Sequence, residues 1–311
     1  EAWPNAGLAN RDRAQVLGVY RIVDLGSVTG AQFLIPVIGV DGFAIFAVMS
    51  IMITLSLVPV SLGDRSNPKP PEDVKLDLRR AWAISPLAAI GCIAVGLTNS
   101  AFRTMSPVYA EDIGMSVTDV ATFVSVSIVG GVVIQYPLGY LSDRLDRRTV
   151  LLATTSLAMA AALALNFLAG NDPLRNFAFV FVFGSFAMPL YSLSAAHAND
   201  HAAENEFVML NAALMLFYSF GAVVGPIAAS AVMEQFGPHA LFLFSAGVYA
   251  MLILVIFYRM TARPPVPRAE RTRFAPLLRT SLLFGRLIGR GAMRKQPAAA
   301  KETLQQAGKS N

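Results

Sequence analysis

Eight stretches of about twenty predominantly apolar residues divide this chain, at 15–37, 42–62, 85–108, 118–140, 149–169, 177–198, 208–232 and 240–259. Each is long enough to cross a bilayer as a helix, and in hydrocarbon the backbone must satisfy its own hydrogen bonds. The prediction is an all-α membrane protein with eight transmembrane helices. Composition agrees, since 55% of residues are hydrophobic and only 14% are charged. The single cysteine, Cys92, excludes an intrachain disulfide. Three histidines and one cysteine leave little material for a metal site, so no metal and no cofactor are expected. The spans bring no evident nucleophile, base or ligand set together, which argues against an embedded enzyme. The chain has no phosphate-cradling glycine loop, so it is not expected to use ATP by itself.

The loops set domain organisation and orientation. Residues 63–84 are rich in proline and charge (Arg65, Pro68, Lys69, Pro70, Pro71, Lys75, Arg79, Arg80) and read as a linker. They separate two spans in 1–62 from six in 85–260, and 261–311 forms a basic tail. Of the 25 Lys and Arg residues, 22 fall on one side of the predicted topology, and only Arg175 falls on the other. The positive-inside rule puts both termini, the linker and the loop after 118–140 in the cytoplasm.

That loop is unusual. Residues 139–148 read Gly-Tyr-Leu-Ser-Asp-Arg-Leu-Asp-Arg-Arg, and five of the ten are charged. A mixed-sign turn this dense stays out of hydrocarbon and favours pairing with neighbouring helix ends. It resembles the signature loop of the major facilitator superfamily, G-x-L-x-D-R-x-G-R-R. Six of the seven specified positions match, with Asp146 in place of the second glycine. Glu1-Ala2-Trp3-Pro4-Asn5 and Ala195-Ala196-His197-Ala198-Asn199-Asp200 further resemble runs in a bacterial branch, the YcaD-like permeases. The resemblance implies a secondary transporter of a small solute, monomeric, in the bacterial inner membrane. It would work by alternating access between two six-helix bundles and be driven by a proton or substrate gradient. It also implies gating roles for Asp143, Arg144, Arg147 and Arg148, with Gly139 as the corner and Asp200 as a partner of Arg144 or Arg147. The alternative for the loop is a plain topological anchor.

An internal repeat bears on completeness. Gly26-Ser-Val-Thr-Gly30 and Gly221-Ala-Val-Val-Gly225 stand 195 residues apart, and the turn glycines Gly42 and Gly237 keep that offset. The first two spans thus match the last two. On that reading the chain holds helices five to twelve of twelve and lacks the first four. The alternative is that small-xxx-small pairs recur for close helix packing. A fold lacking four helices keeps open a second function, a non-transporting or regulatory membrane protein.

Polar residues inside spans nominate a cavity. Asn99, Arg103 and Ser106 share one face of 85–108 by helical spacing. Arg103 is either a solute or gate contact or a snorkelling anchor. Arg21 and Asp24, three apart, are either a proton-titrating pair or a neutralised lock. Gln135, before Tyr136-Pro137, together with Tyr191, Asn211 and Tyr218, marks faces turned from lipid, and Pro137 is expected to bend its helix. Segments 42–62, 149–169 and 240–259 are apolar all round and are expected at the lipid-facing periphery. The tail after residue 262 aligns Arg279, Arg286 and Arg290 and reads as an amphipathic surface helix or a disordered basic tail. It carries no nucleic-acid module.

Overall fold

The computed structural model describes residues 26–27, 30–31, 33–39, 42–62, 76–203 and 206–262, and these residues contain helices and no strand. The predicted pair Arg21 and Asp24, residues 63–75 of the linker and the tail from 263 lie outside them. We number the helices α1 (Ala44–Leu62), α2 (Leu78–Ile84), α3 (Pro86–Asp112), α4 (Val117–Arg144), α5 (Arg147–Phe167), α6 (Pro173–Ala187), α7 (Leu190–Asn199), α8 (Phe207–Phe236) and α9 (Ala240–Ala262). Six spans among the described residues are long and apolar enough to cross a membrane: α3, α4, α5, the α6–α7 unit Pro173–Asn199, α8 and α9. They follow the six apolar segments predicted from 85 onward.

Side-chain caps fix where the helices start. Ser85 accepts from Ala88 N–H and Pro86 takes the first helical position of α3. Ser116 and Asp119 form a capping box on α4, and Asp172 caps α6 ahead of Pro173. Pro137 lies inside α4, which continues past it to Arg144. A full interruption falls at Met188–Pro189, dividing α6 from α7 in a segment predicted as one span. Proline cannot donate to the ladder and its ring crowds the carbonyl four residues back.

The bundle closes through glycine seams. A Cβ on Gly96 would lie 2.1 Å from the Tyr218 carbonyl oxygen, and one on Gly221 or Gly225 would lie 2.2 Å from the Ile93 or Leu97 carbonyl oxygen. The backbones of α3 and α8 therefore approach as closely as glycine alone permits, the small-xxx-small geometry of membrane helices. Gly130 and Gly184 make a matching seam between α4 and α6, each against a carbonyl of the other helix. Of the two Gly-x-x-x-Gly pairs, Gly221 and Gly225 serve packing, whereas Gly26 and Gly30 meet nothing within 4 Å among the described residues. Inside the bundle, Phe102, Tyr109, Phe123, Phe183 and Phe242 form a continuous aromatic core with centroids 5.0–6.5 Å apart.

Exposure separates the helices. The apolar window of α3 is 67% buried and that of α6–α7 61%. Segments 149–169 and 240–259, expected at the lipid-facing periphery, are α5 and α9; each window is 44% buried, and the two pack along each other. The more open helices are α4 (33%) and α8 (39%), each with one face uncovered among the described residues. No described side chain of α1 is buried.

Candidate functional site

The charged loop is shorter than its sequence implies. Helix α4 continues to Arg144, Leu145 caps it, and Asp146 opens α5 by accepting from Arg148 N–H. Gly139 is buried within α4, five residues before its end, so it is not the corner that the sequence predicted. Nothing between 139 and 144 breaks the helix. The turn sits at Leu145–Asp146, where the Asp146 carboxylate accepts from the Arg148 N–H in the first turn of α5.

This places Arg147 in the first turn of α5, pointing into the bundle. Its Nε lies 2.8 Å from Asp200 Oδ2, just past the end of α7, with side chains only 2% and 3% exposed. Asp143, one turn earlier at the end of α4, lies 3.4 Å from Arg147 Nη2. One buried guanidinium thus ties together α4, α5 and α7. Arg148 pairs with Asp146 at 3.0 Å. Arg144 points outward and stacks 4.1 Å over the Tyr140 ring, so of the two arginines considered for Asp200 the partner is Arg147. A buried pair of this kind costs desolvation that is recovered only while both partners stay in place.

The same end of the bundle carries further polar contacts. Asn211 donates to Asn199 Oδ1 (3.2 Å) and to the Phe207 carbonyl (2.7 Å). Deeper in the bundle, Tyr191 and Tyr218, both predicted cavity residues, meet edge to face at 5.5 Å between α7 and α8. Glu206 accepts from Arg80 Nε at 2.8 Å and from Ala203 N–H at 3.1 Å. The Arg80 hydrogen bond, helped by the Ala203 N–H, holds the Glu206 carboxyl below the usual carboxylate range. The three residues predicted on one face of α3 divide: Asn99 and Ser106 are buried and Arg103 is exposed. Gln135 is half-buried on α4. Of the candidate cavity residues that are described, Tyr191 and Tyr218 are brought into contact with each other.

Family membership follows from the sequence behind this geometry. The family model described as Major Facilitator Superfamily matches residues 7–206 and 88–300. The chain belongs to the Major Facilitator Superfamily. It is accordingly a multi-span membrane protein of a transporter family. It is 27% identical over 254 residues to an uncharacterized MFS-type transporter of Yersinia pestis (strain Pestoides F), covering 78% of this chain and 64% of that one. A similar protein of Yersinia enterocolitica is 27% identical over 269 residues, 85% of this chain and 66% of its own. The uncharacterized MFS-type transporter YcaD of Salmonella paratyphi B is 26% identical over 184 residues, 59% of this chain and 47% of its own. The chain thus spans about 64% of the first of these relatives.

The facilitator's opposite end escaped the sequence reading. Tyr109, fully buried at the end of α3, donates to Asn176 Oδ1 at 2.6 Å and lies 3.3 Å from His239 Nδ1. Asn176 also donates to the Gly170 and Asp172 carbonyls. No local pattern announces this cluster, because its members lie 67 and 130 residues from Tyr109. His197, Asn199 and His201 were legible only as part of the run Ala195 to Asp200 and its neighbour.

Proposed function

We propose that this facilitator is a secondary active transporter that moves a small solute by alternating access, coupled to protons, with the signature-loop end in the cytoplasm. Residues 1–62 supply helices five and six of a twelve-helix fold, 63–84 the linker between bundles, 85–260 the last six helices and 261–311 a basic cytoplasmic tail. Eight helices of twelve agrees with the 64% of a relative's length that the chain spans. The observation that carries the reading is Arg147, buried between Asp143 and Asp200 where three helix ends meet. Such a clamp is stable while the cytoplasmic side is shut and costly to leave half-made, which gives a two-state gate.

In this reading Asn99, Arg103 and Gln135 face the solute path, and the open faces of α4 and α8 meet the other bundle. Tyr191, Asn211 and Tyr218 shape the end of that path, and Arg21 with Asp24 handles the coupling proton. The relatives described above carry transporter names, which does not favour the regulatory alternative.

Solute flux into proteoliposomes under an imposed pH gradient tests the proposal, comparing the 311-residue chain, a twelve-helix form and Arg147→Gln in each. Flux that depends on the gradient and is lost with Arg147→Gln is expected. Flux indifferent to the gradient removes proton coupling, and flux indifferent to Arg147 removes the gate.

A further inference from the structure

Arg103 stands apart from every other charge in the bundle. In the six described spans each remaining Asp, Glu, Lys or Arg lies within two residues of a span end, whereas Arg103 lies nine residues before Asp112. That is about 13 Å along α3, one turn from the middle residue of the helix, Asn99. Resting on the transport reading, we propose that Arg103 and Asn99 form a binding site for the carboxylate of a small organic monoanion. Solutes of this class are what the path admits.

Two observations keep this side of α3 away from lipid. Arg103 is exposed and has no ion-pair partner among the described residues. A bare guanidinium near the middle of a span is expensive in hydrocarbon and belongs on a wet path or against protein. Pro107, one turn further out and also exposed, has no N–H, so the Arg103 carbonyl loses its helical donor. A carbonyl without its ladder partner is as poorly suited to lipid as the charge beside it.

What the site lacks is an anion. The next acids along α3, Glu111 and Asp112, lie more than two turns away, and neither pairs with Arg103. A carboxylate matches a guanidinium through two parallel N–H···O bonds. Asn99, one turn inward, is 9% exposed, and its amide makes no hydrogen bond among the described residues. Spaced four residues from Arg103, it offers a further N–H donor on the same helical side. Leaving such an amide unmet is costly, and an anion meets it. One fixed positive charge also sets the charge of the occupant. A monoanion is neutralised by Arg103, a dianion keeps an uncompensated charge where little water screens it, and a cation is repelled.

The test measures binding by the full 311-residue chain in neutral detergent, by thermal shift at constant ionic strength. The probes are four carboxylate and amide pairs of closely matched shape: acetate, benzoate, nicotinate and salicylate against acetamide, benzamide, nicotinamide and salicylamide. At least one carboxylate is expected to give a saturable shift, with its amide about tenfold weaker or more. Arg103→Gln should weaken that carboxylate about tenfold, Arg103→Lys less, and Asn99→Ala several-fold. Should Arg103→Gln fail to insert, Arg103→Lys and Asn99→Ala carry the comparison. No carboxylate shift, an amide that binds as well as its carboxylate, or equal binding by wild type and variants overturns the proposal. The transport reading fails separately. Carboxylate binding governed by Arg103, without gradient-driven flux of that carboxylate in a twelve-helix form, removes transport and leaves the anion site. Gradient-driven flux of a neutral solute that is indifferent to Arg103→Gln does the reverse.

Discussion

The two ends of this six-span bundle are tied by different chemistry. At the signature-loop end, Arg147 is buried with Asp143 and Asp200, and a second pair, Arg148 and Asp146, lies alongside. At the opposite end, Tyr109, Asn176 and His239 are joined by neutral hydrogen bonds against an aromatic core. Both ends join helices distant in sequence. A charged tie is strong when complete and heavily penalised when half-made, so it defines sharply distinct states. A neutral tie is worth less, and its loss leaves the packed rings largely in place. The contrast teaches that one bundle can close one end with buried charge and the other with neutral hydrogen bonds and packed rings.

Four single substitutions, the first checked by a double one, break or sharpen that contrast in falling order of effect. Asp200→Ala removes the nearer counter-ion of a buried guanidinium and should destabilise the detergent-solubilised protein by about 3 kcal/mol or more. Chemical unfolding monitored by intrinsic fluorescence reads this. Replacing both partners, Arg147→Met with Asp200→Leu, should cost less than Asp200→Ala alone; an equal or larger cost would mean that the pair is a net source of stability.

Gly96→Ala lies in the seam between the ends and drives a Cβ against the Tyr218 carbonyl, 2.1 Å away. A loss of about 1–3 kcal/mol is expected from the forced backbone shift. A neutral result in the same unfolding assay would show that α3 and α8 can separate freely.

Tyr109→Phe deletes only the hydroxyl at the neutral end. The expected loss is about 0.6–1.7 kcal/mol, the range for hydrogen bonds between membrane helices. If it matches Asp200→Ala, the two ends are not different in kind.

The smallest effect belongs to Glu206, which pairs with the exposed Arg80. Its folded pKa is depressed, so its contribution is present above the ordinary glutamate value of about 4.3 and is lost as pH falls through the folded value. Thermal shifts of wild type and Glu206→Gln should differ by less than about 1 kcal/mol at pH 7 and converge in acid. A difference that persists in acid would assign the effect to packing.

Much of the bundle was legible in the sequence because hydropathy and helical caps are local. The six spans from 85 onward, the turn after α4 and the small-residue pair Gly221 and Gly225 could all be read along the chain. One local inference failed. Gly139 was expected at a corner, yet α4 runs through it to Arg144. Glycine permits a break without requiring one, and the neighbouring helices decide.

By itself, then, the sequence determined that this chain makes membrane-spanning helices and that its densest charge cluster lies in one short turn. Both follow from hydropathy and spacing over a few residues. Only the tertiary structure decided that Arg147 reaches Asp200 while Arg144 turns out to Tyr140. It alone brought Arg259, His197 and Arg148 to one cleft, and Tyr109 to Asn176. Apart from Arg144 and Tyr140, one turn apart on α4, these pairings join residues 49 to 111 positions apart in the chain, and backbone sterics at the glycine seams set which faces meet.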